Sequence, residues 1–144
     1  MIDPGLVKNR RRRGYRPKPV TMEELARTAK LLGLRAWAVR VRILGTDMDL
    51  MGVRGRKEIE SVVVEAKAVI HEGNIQHAIN QLHFRKHFFN RVYVATRGDS
   101  VWYALALVPD CFGVIDLSAM RVVRESRMFL STGAEYLKRF LLGI

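Results

Sequence analysis

The sequence predicts an α/β domain with a mixed central sheet flanked by helices. Three observations carry that expectation. Segments with apolar residues three or four apart, the helical period, alternate along the chain with short runs of strand character. A basic turn at Arg54-Gly55-Arg56-Lys57 separates two of those runs and reads as a hairpin near the start. The length of 144 residues, 49% of them hydrophobic, suits one domain with a real core and is too short for two.

Charge narrows the classes of partner. The chain carries 25 Lys and Arg against 14 Asp and Glu, a formal net charge of +11, which calls for a polyanion. Nucleic acid ranks first, because clustered cations release the counterions condensed on phosphates. An anionic membrane surface ranks below it, since the positive charge is spread over many segments instead of one basic amphipathic helix. The single cysteine, Cys111, excludes an internal disulfide and a cysteine-rich metal site, and a reducing interior follows. No apolar run approaches membrane-spanning length and the N-terminus shows no signal core, so a soluble, cytoplasmic protein without a membrane partner is expected.

Residues 1–20 form a basic arm, with Lys8, Arg10, Arg11, Arg12, Arg13, Arg16 and Lys18 against the lone acid Asp3. Such a stretch cannot bury apolar surface and reads as flexible, with Arg10, Arg11, Arg12 and Arg13 as phosphate contacts. The folded domain spans 21–144. Thr21-Met22-Glu23-Glu24 is a capping box opening a helix with Leu25, Ala29 and Leu32 on one stripe and Gly33 as its stop. On this reading Glu24 is a cap. Trp37, Val39, Val41 and Ile43 alternate with Arg40 and Arg42, the period of a half-buried strand, and the two arginines are candidate nucleic-acid contacts. The hairpin then runs from about Asp49 to Arg54 and from Glu60 to Val69. On its second strand Val63, Glu65 and Lys67 share a face.

Ile75, Ala78, Ile79, Leu82 and Phe89 mark a second helix running to Asn90. His83 and His87 on it have the spacing of a metal pair, but no third ligand lies near them in sequence and a basic helix surface accounts for them. Arg91 to Thr96 is a compact apolar strand. Ser100 caps a short helix through Leu107 that Pro109 ends, and residues 113–117 form the next strand. From about residue 118 an extension follows, with a strand over Met120 to Phe129 and a terminal helix capped by Ser131, its apolar side formed by Tyr136, Phe140 and Leu141.

Chemistry concentrates between Thr46 and Lys67. Hydrolysis of a phosphodiester needs a cation to neutralise developing charge and a water placed in line with the leaving oxygen. Hard divalent ions take oxygen ligands and keep several waters, so Asp49, Glu65 and the backbone carbonyl of Ala66 are a sufficient set, with Asp47 competing for the place of Asp49. Lys67 is suited to orient or deprotonate the water. An acid, a hairpin, the Glu65-Ala66-Lys67 triplet, a glutamine-bearing helix and two apolar strands in this order resemble the PD-(D/E)XK nuclease superfamily, over roughly residues 21–117.

That resemblance implies a restriction-endonuclease-like αβββαβ core and Mg²⁺ or Mn²⁺ as cofactor. It implies that Asp49 matches the acid of the second strand and that Glu65, Ala66 and Lys67 match the E-x-K triplet. Gln81 looks like the helix glutamine of RecB-like members. Glu24 looks like the first-helix acid that some members, archaeal Holliday-junction resolvases among them, add to the metal site. No proline precedes the acid, and Arg85 stands where those members often have an aromatic. The expectation is a metal-dependent DNA nuclease, an endonuclease acting on duplex, single-stranded or branched DNA, with a homodimer built through the C-terminal extension. The competing expectation is a non-catalytic nucleic-acid-binding protein, viral or plasmid-encoded, in which Asp49, Glu65 and Lys67 are a structural salt-bridge cluster.

Overall fold

The computed structural model describes residues 17–141. Arg10, Arg11, Arg12 and Arg13, and the flexibility expected of the arm, lie outside the described residues. The elements are α1 (Met22–Leu31), β1 (Ala36–Ile43), β2 (Thr46–Arg54), β3 (Glu60–Ala66), α2 (Ile75–Arg85), β4 (Arg91–Thr96), α3 (Ser100–Leu107), β5 (Gly113–Asp116), β6 (Arg121–Arg124) and α4 (Thr132–Leu141). The six strands form one mixed sheet in sequence order. Strands β1, β2 and β3 make an antiparallel meander, β3, β4 and β5 run parallel, and β6 returns antiparallel at the edge. The α/β class with a helix-flanked mixed sheet is thus as expected.

The parallel strands need crossovers, and α2 and α3 supply them. Leu82 of α2, Val101 and Ala104 of α3 and Leu137 of α4 pack with Val63, Val92, Val94 and Val114 on one face of the sheet. Leu25 and Ala29 of α1, with its C-cap Leu32, cover the other face against Leu50, Val62, Val64, Tyr93, Ala95 and Ile115. Both faces of β3 and β4 are therefore buried, which explains why these strands read as continuous apolar runs instead of alternating ones. The Thr21 capping box forms as the sequence predicts, and Gly33 leaves α1 at a φ of +70°.

Strand β1 departs from simple alternation. Val39 packs on the α1 side, whereas Val41 and Ile43 pack on the α2 side. The reversal falls at Arg40, which has a left-handed φ of +51°. Pairing with β2 runs through Val39↔Leu50 and resumes at Val41↔Met48, skipping Arg40 and Asp49. The same switch divides Leu50 from Met48 on β2. Asp49 thus sits where the hairpin changes face.

Several boundaries are also corrected. β3 ends at Ala66 and not Val69, because the chain turns to bury Ile70 in the α2-side core. Ser100 does not cap α3, whose N-cap is Asp99; its Oγ accepts the Ile70 N–H at 2.9 Å. The strand expected over Met120 to Phe129 is only Arg121–Arg124. Ser131 does cap α4, through the Ala134 N–H at 3.0 Å. The apolar side of α4 that packs on the body is Ala134 and Leu137, while Tyr136 and Phe140 are 75% and 65% exposed.

Gly52 shows how tightly β1 and β2 approach. A Cβ there would lie 2.4 Å from the Ala36 carbonyl oxygen and 2.9 Å from Trp37 Cβ. The substitution Gly52→Ala must therefore push apart a paired ladder, and we expect it to destabilise the fold by about 1–3 kcal/mol. Urea unfolding of the two proteins checks this, as a lowered midpoint at unchanged slope.

Candidate active site

The β2–β3 register ends at Leu50↔Val64. One residue further along, a side chain replaces the ladder: Asp49 Oδ2 accepts the Ala66 N–H at 2.8 Å. A strand residue's N–H and C=O leave the same edge, so the Ala66 carbonyl faces β2 as well. On the other side of Ala66, the Lys67 N–H bonds the Ala95 carbonyl of β4 at 2.9 Å. Asp49, Glu65 and the Ala66 carbonyl therefore gather at the point where β2 and β3 separate.

Glu65 is 4% exposed, inside an otherwise apolar layer. The charge of Asp49 acts on its carboxyl, so the two acids are neighbours across the end of the ladder. Oε1 faces Lys67 Nζ at 3.6 Å and Oε2 faces Arg85 Nη2 at 3.0 Å. Oε2 nevertheless has no hydrogen bond of good geometry, so the Arg85 contact is an ion pair without a directed proton. The cause lies in where Arg85 spends its protons. Nη2 donates to the Asp47 carbonyl at 2.8 Å and to Thr46 Oγ1 at 3.4 Å, and Nη1 donates to the Gln81 carbonyl at 3.2 Å.

Arg85 is the residue that sequence reasoning missed. It is 1% exposed and reaches the site from the last turn of α2. Its signal was present, because Ala78, Leu82, Arg85 and Phe89 form one stripe at helical spacing, and a charge within a buried stripe demands a buried partner.

The other expected residues divide. Gln81 lies one turn before Arg85, and its Oε1 is buried without a hydrogen bond. Asp47 points away, in an exposed pair with Arg42 at 3.3 Å, so only its carbonyl belongs to the cluster. That leaves Asp49 as the acid of the pair. Arg42 also donates to the Gly45 carbonyl, and Arg40 to the Val20 carbonyl at 2.9 Å. Glu24 is engaged elsewhere: its oxygens accept from Thr21 and from Arg97, whose Nε lies 2.9 Å from Oε2. Arg97 holds its carboxyl down at about 2, so its observed role is a cap and an anchor for α1. His83 stacks edge-on against Phe112, with ring centroids 5.1 Å apart, and takes no part.

Among the described residues no group of three or more His, Cys, Asp and Glu side chains is placed to hold a metal. The donors on hand are two carboxylates and one carbonyl. As oxygen donors they fit a hard divalent ion by chemistry.

Burial, and next the Asp49 charge, push the Glu65 carboxyl up to about 7 against an ordinary 4.5, with Arg85 and Lys67 opposing the rise. Between pH 4.5 and 7 the folded protein therefore binds more protons at Glu65 than the unfolded chain does. Its contribution to stability is full below pH 4.5 and is lost as pH rises through 7, by at most about 3 kcal/mol. His83 is shifted down by burial, so it contributes the opposite trend near neutrality. The difference between the wild type and Glu65→Gln isolates the carboxyl. Urea midpoints from pH 5 to 7.5 should fall more steeply for the wild type, and parallel curves would contradict this assignment.

No family model matches the chain, and no curated protein matches it. Among solved structures, a protein of unknown function from Silicibacter pomeroyi is similar, at 20% sequence identity and a TM-score of 0.61 over 88% of this chain and 84% of that one. That likeness establishes a shared fold.

Proposed function

We propose that this protein is a metal-dependent nuclease that hydrolyses DNA phosphodiester bonds as an endonuclease, on a restriction-endonuclease-like core. The observation that carries the reading is the convergence of Asp49, Glu65 and the Ala66 carbonyl where the β2–β3 ladder ends, with Lys67 one residue beyond β3. The order of elements, one helix, a three-stranded meander, a second helix and a parallel fourth strand, is compatible with it.

Asp49, Glu65 and the Ala66 carbonyl would hold Mg²⁺ or Mn²⁺, which supplies charge neutralisation at the phosphate and acidity to a water. Asp49 is held in place by the Ala66 N–H. Lys67 has a side chain 22% exposed, against 6% for Glu65. Solvent reaches it, and it is suited to orient the attacking water. Gln81 has a buried amide oxygen without a hydrogen bond. The net charge of +11, including Arg40, Arg42 and the arginines of the arm, supplies the attraction to DNA.

A second reading has one observation in its favour. Lys67 and Arg85 already place two cations against Glu65, so its carboxyl has charged partners within the chain. A nucleic-acid-binding protein without catalysis would need no more than this. Incubation with single-stranded, duplex and branched DNA, with Mg²⁺, Mn²⁺ or chelator, separates the two. The nuclease reading predicts cleavage that chelator abolishes and that Lys67→Ala or Asp49→Asn lowers by a factor of about 100 or more. Binding without cleavage on every substrate and metal would leave the second reading in place.

The arm is tested separately. Residues 1–16 hold six cations, Lys8, Arg10, Arg11, Arg12, Arg13 and Arg16. If all six touch phosphates, their deletion lowers the slope of log K against log salt by about 5. An unchanged slope in filter-binding titrations would remove the arm from the interface.

A further inference from the structure

We infer that Glu24 and Arg97 clamp the root of the basic N-terminal arm, and so fix where its cations meet a nucleic-acid backbone, at the Asp49–Lys67 end of the sheet. The inference rests on the reading above that the arm contacts phosphates, and it concerns how the fold places that arm.

Three consecutive carbonyls just before α1 are each held by an arginine. Arg97 Nη1 donates to the Lys18 carbonyl at 2.6 Å and its Nη2 to the Pro19 carbonyl at 3.0 Å, while Arg40 Nη2 donates to the Val20 carbonyl at 2.9 Å. Capping α1 needs none of these bonds, because the carbonyls lie upstream of the N-cap Thr21. Pro17 and Pro19 stiffen the same stretch, since each fixes its own φ, and Pro19 biases Lys18 to extended backbone. A held, stiff stretch sets the point from which residues 1–16, with their six cations, depart.

Glu24 aims Arg97. Its two oxygens take the guanidinium as a fork, Nε on Oε2 at 2.9 Å and Nη2 on Oε1, which leaves Nη1 and the second proton of Nη2 for the carbonyls. The carboxyl is held down at about 2, so the ion pair is intact at neutral pH. Neither residue needs to touch nucleic acid, which makes both positioning residues.

The place of the clamp ties it to the candidate site. Arg40 and Asp49 are passed over together in the β1–β2 pairing. Arg97 directly follows β4, at whose end the Ala95 carbonyl accepts the Lys67 N–H. Neighbouring strands lie about 4.8 Å apart, so the held carbonyls share one end of the sheet with the two acids and Lys67.

The affinity of the full chain for a short fluorescent DNA duplex, measured by anisotropy in chelator so that nothing is cut, tests the clamp. Glu24→Gln keeps the capping box, which glutamine also satisfies, but loses the ion pair. It raises the net charge by one, so bulk attraction alone would tighten binding. The clamp predicts the reverse, binding weakened about fivefold, and the same for Arg97→Lys, which keeps the charge but not the fork. In a full-length background whose six arm cations are all replaced by glutamine, neither substitution should weaken binding. Unchanged or tighter binding by either folded variant on the natural arm overturns the inference. An equal loss in both backgrounds overturns it too, since the pair would then act on the fold and not through the arm. Circular dichroism reports folding; where one variant is unfolded the other decides, and two unfolded variants make the pair structural and overturn the inference. If neutralising the arm leaves the affinity unchanged, the arm reading itself fails, and the inference with it.

Discussion

A carboxylate and a guanidinium buried side by side, Glu65 and Arg85, are the constraint around which the α2 face of this molecule is built. Each is less than 5% exposed, and the core on this side, with Met48, Met51, Val63, Leu82 and Val94, is apolar. Stripping solvent from two such ions costs several kcal/mol apiece, which their attraction recovers only if the geometry is held. The chain holds it from three directions. The last turn of α2 supplies Arg85, β3 supplies Glu65, and the Thr46–Asp47 end of β2 supplies the acceptors that aim the guanidinium. Removing one partner would leave the other charged in an apolar layer, a loss of about 3–5 kcal/mol. The pair thereby ties a crossover helix to a hairpin that the backbone ladder alone does not join to it.

The gap in the β2–β3 ladder beside that pair follows from a local fault in the hairpin. Arg40 adopts a left-handed conformation, β1 and β2 change face together, and the ladder between β2 and β3 stops after Leu50. An unpaired N–H at Ala66 would be costly this close to the core. Asp49 answers it with a side-chain oxygen, and in doing so comes against Glu65. Irregular backbone of this sort is concentrated where function needs a polar group re-aimed, so the reversal and the candidate site are parts of one arrangement.

Much of this was legible in the residues alone. Turn chemistry at Arg54–Lys57, the capping box at Thr21 and the apolar run at Arg91–Thr96 each act locally, and each produces the element expected of it. Asp49, Glu65 and Lys67 were legible because strand alternation carries them to one edge. Arg85 was not singled out, since a charge in a helical stripe reads as surface until the strand beneath it is known to hold an acid. The face reversal at Arg40 was equally hidden, because a non-glycine residue in a left-handed conformation has no sequence signature. Tyr136 and Phe140 read as core on α4, yet Ala134 and Leu137 take that role. Helical periodicity gives a stripe but not which half of it meets the body.

One geometric arrangement is tied to one chemistry: two neighbouring acids, a backbone carbonyl beside them, and a partly exposed lysine. The central claim is that a divalent ion sits among those oxygens. Crystals grown with Mn²⁺ and measured near the manganese edge test it most directly. The expected result is an anomalous peak within bonding distance of the Asp49 and Glu65 carboxylates and the Ala66 carbonyl. A map with no peak there, and with Lys67 Nζ drawn onto Asp49 and Glu65 in its place, would contradict it.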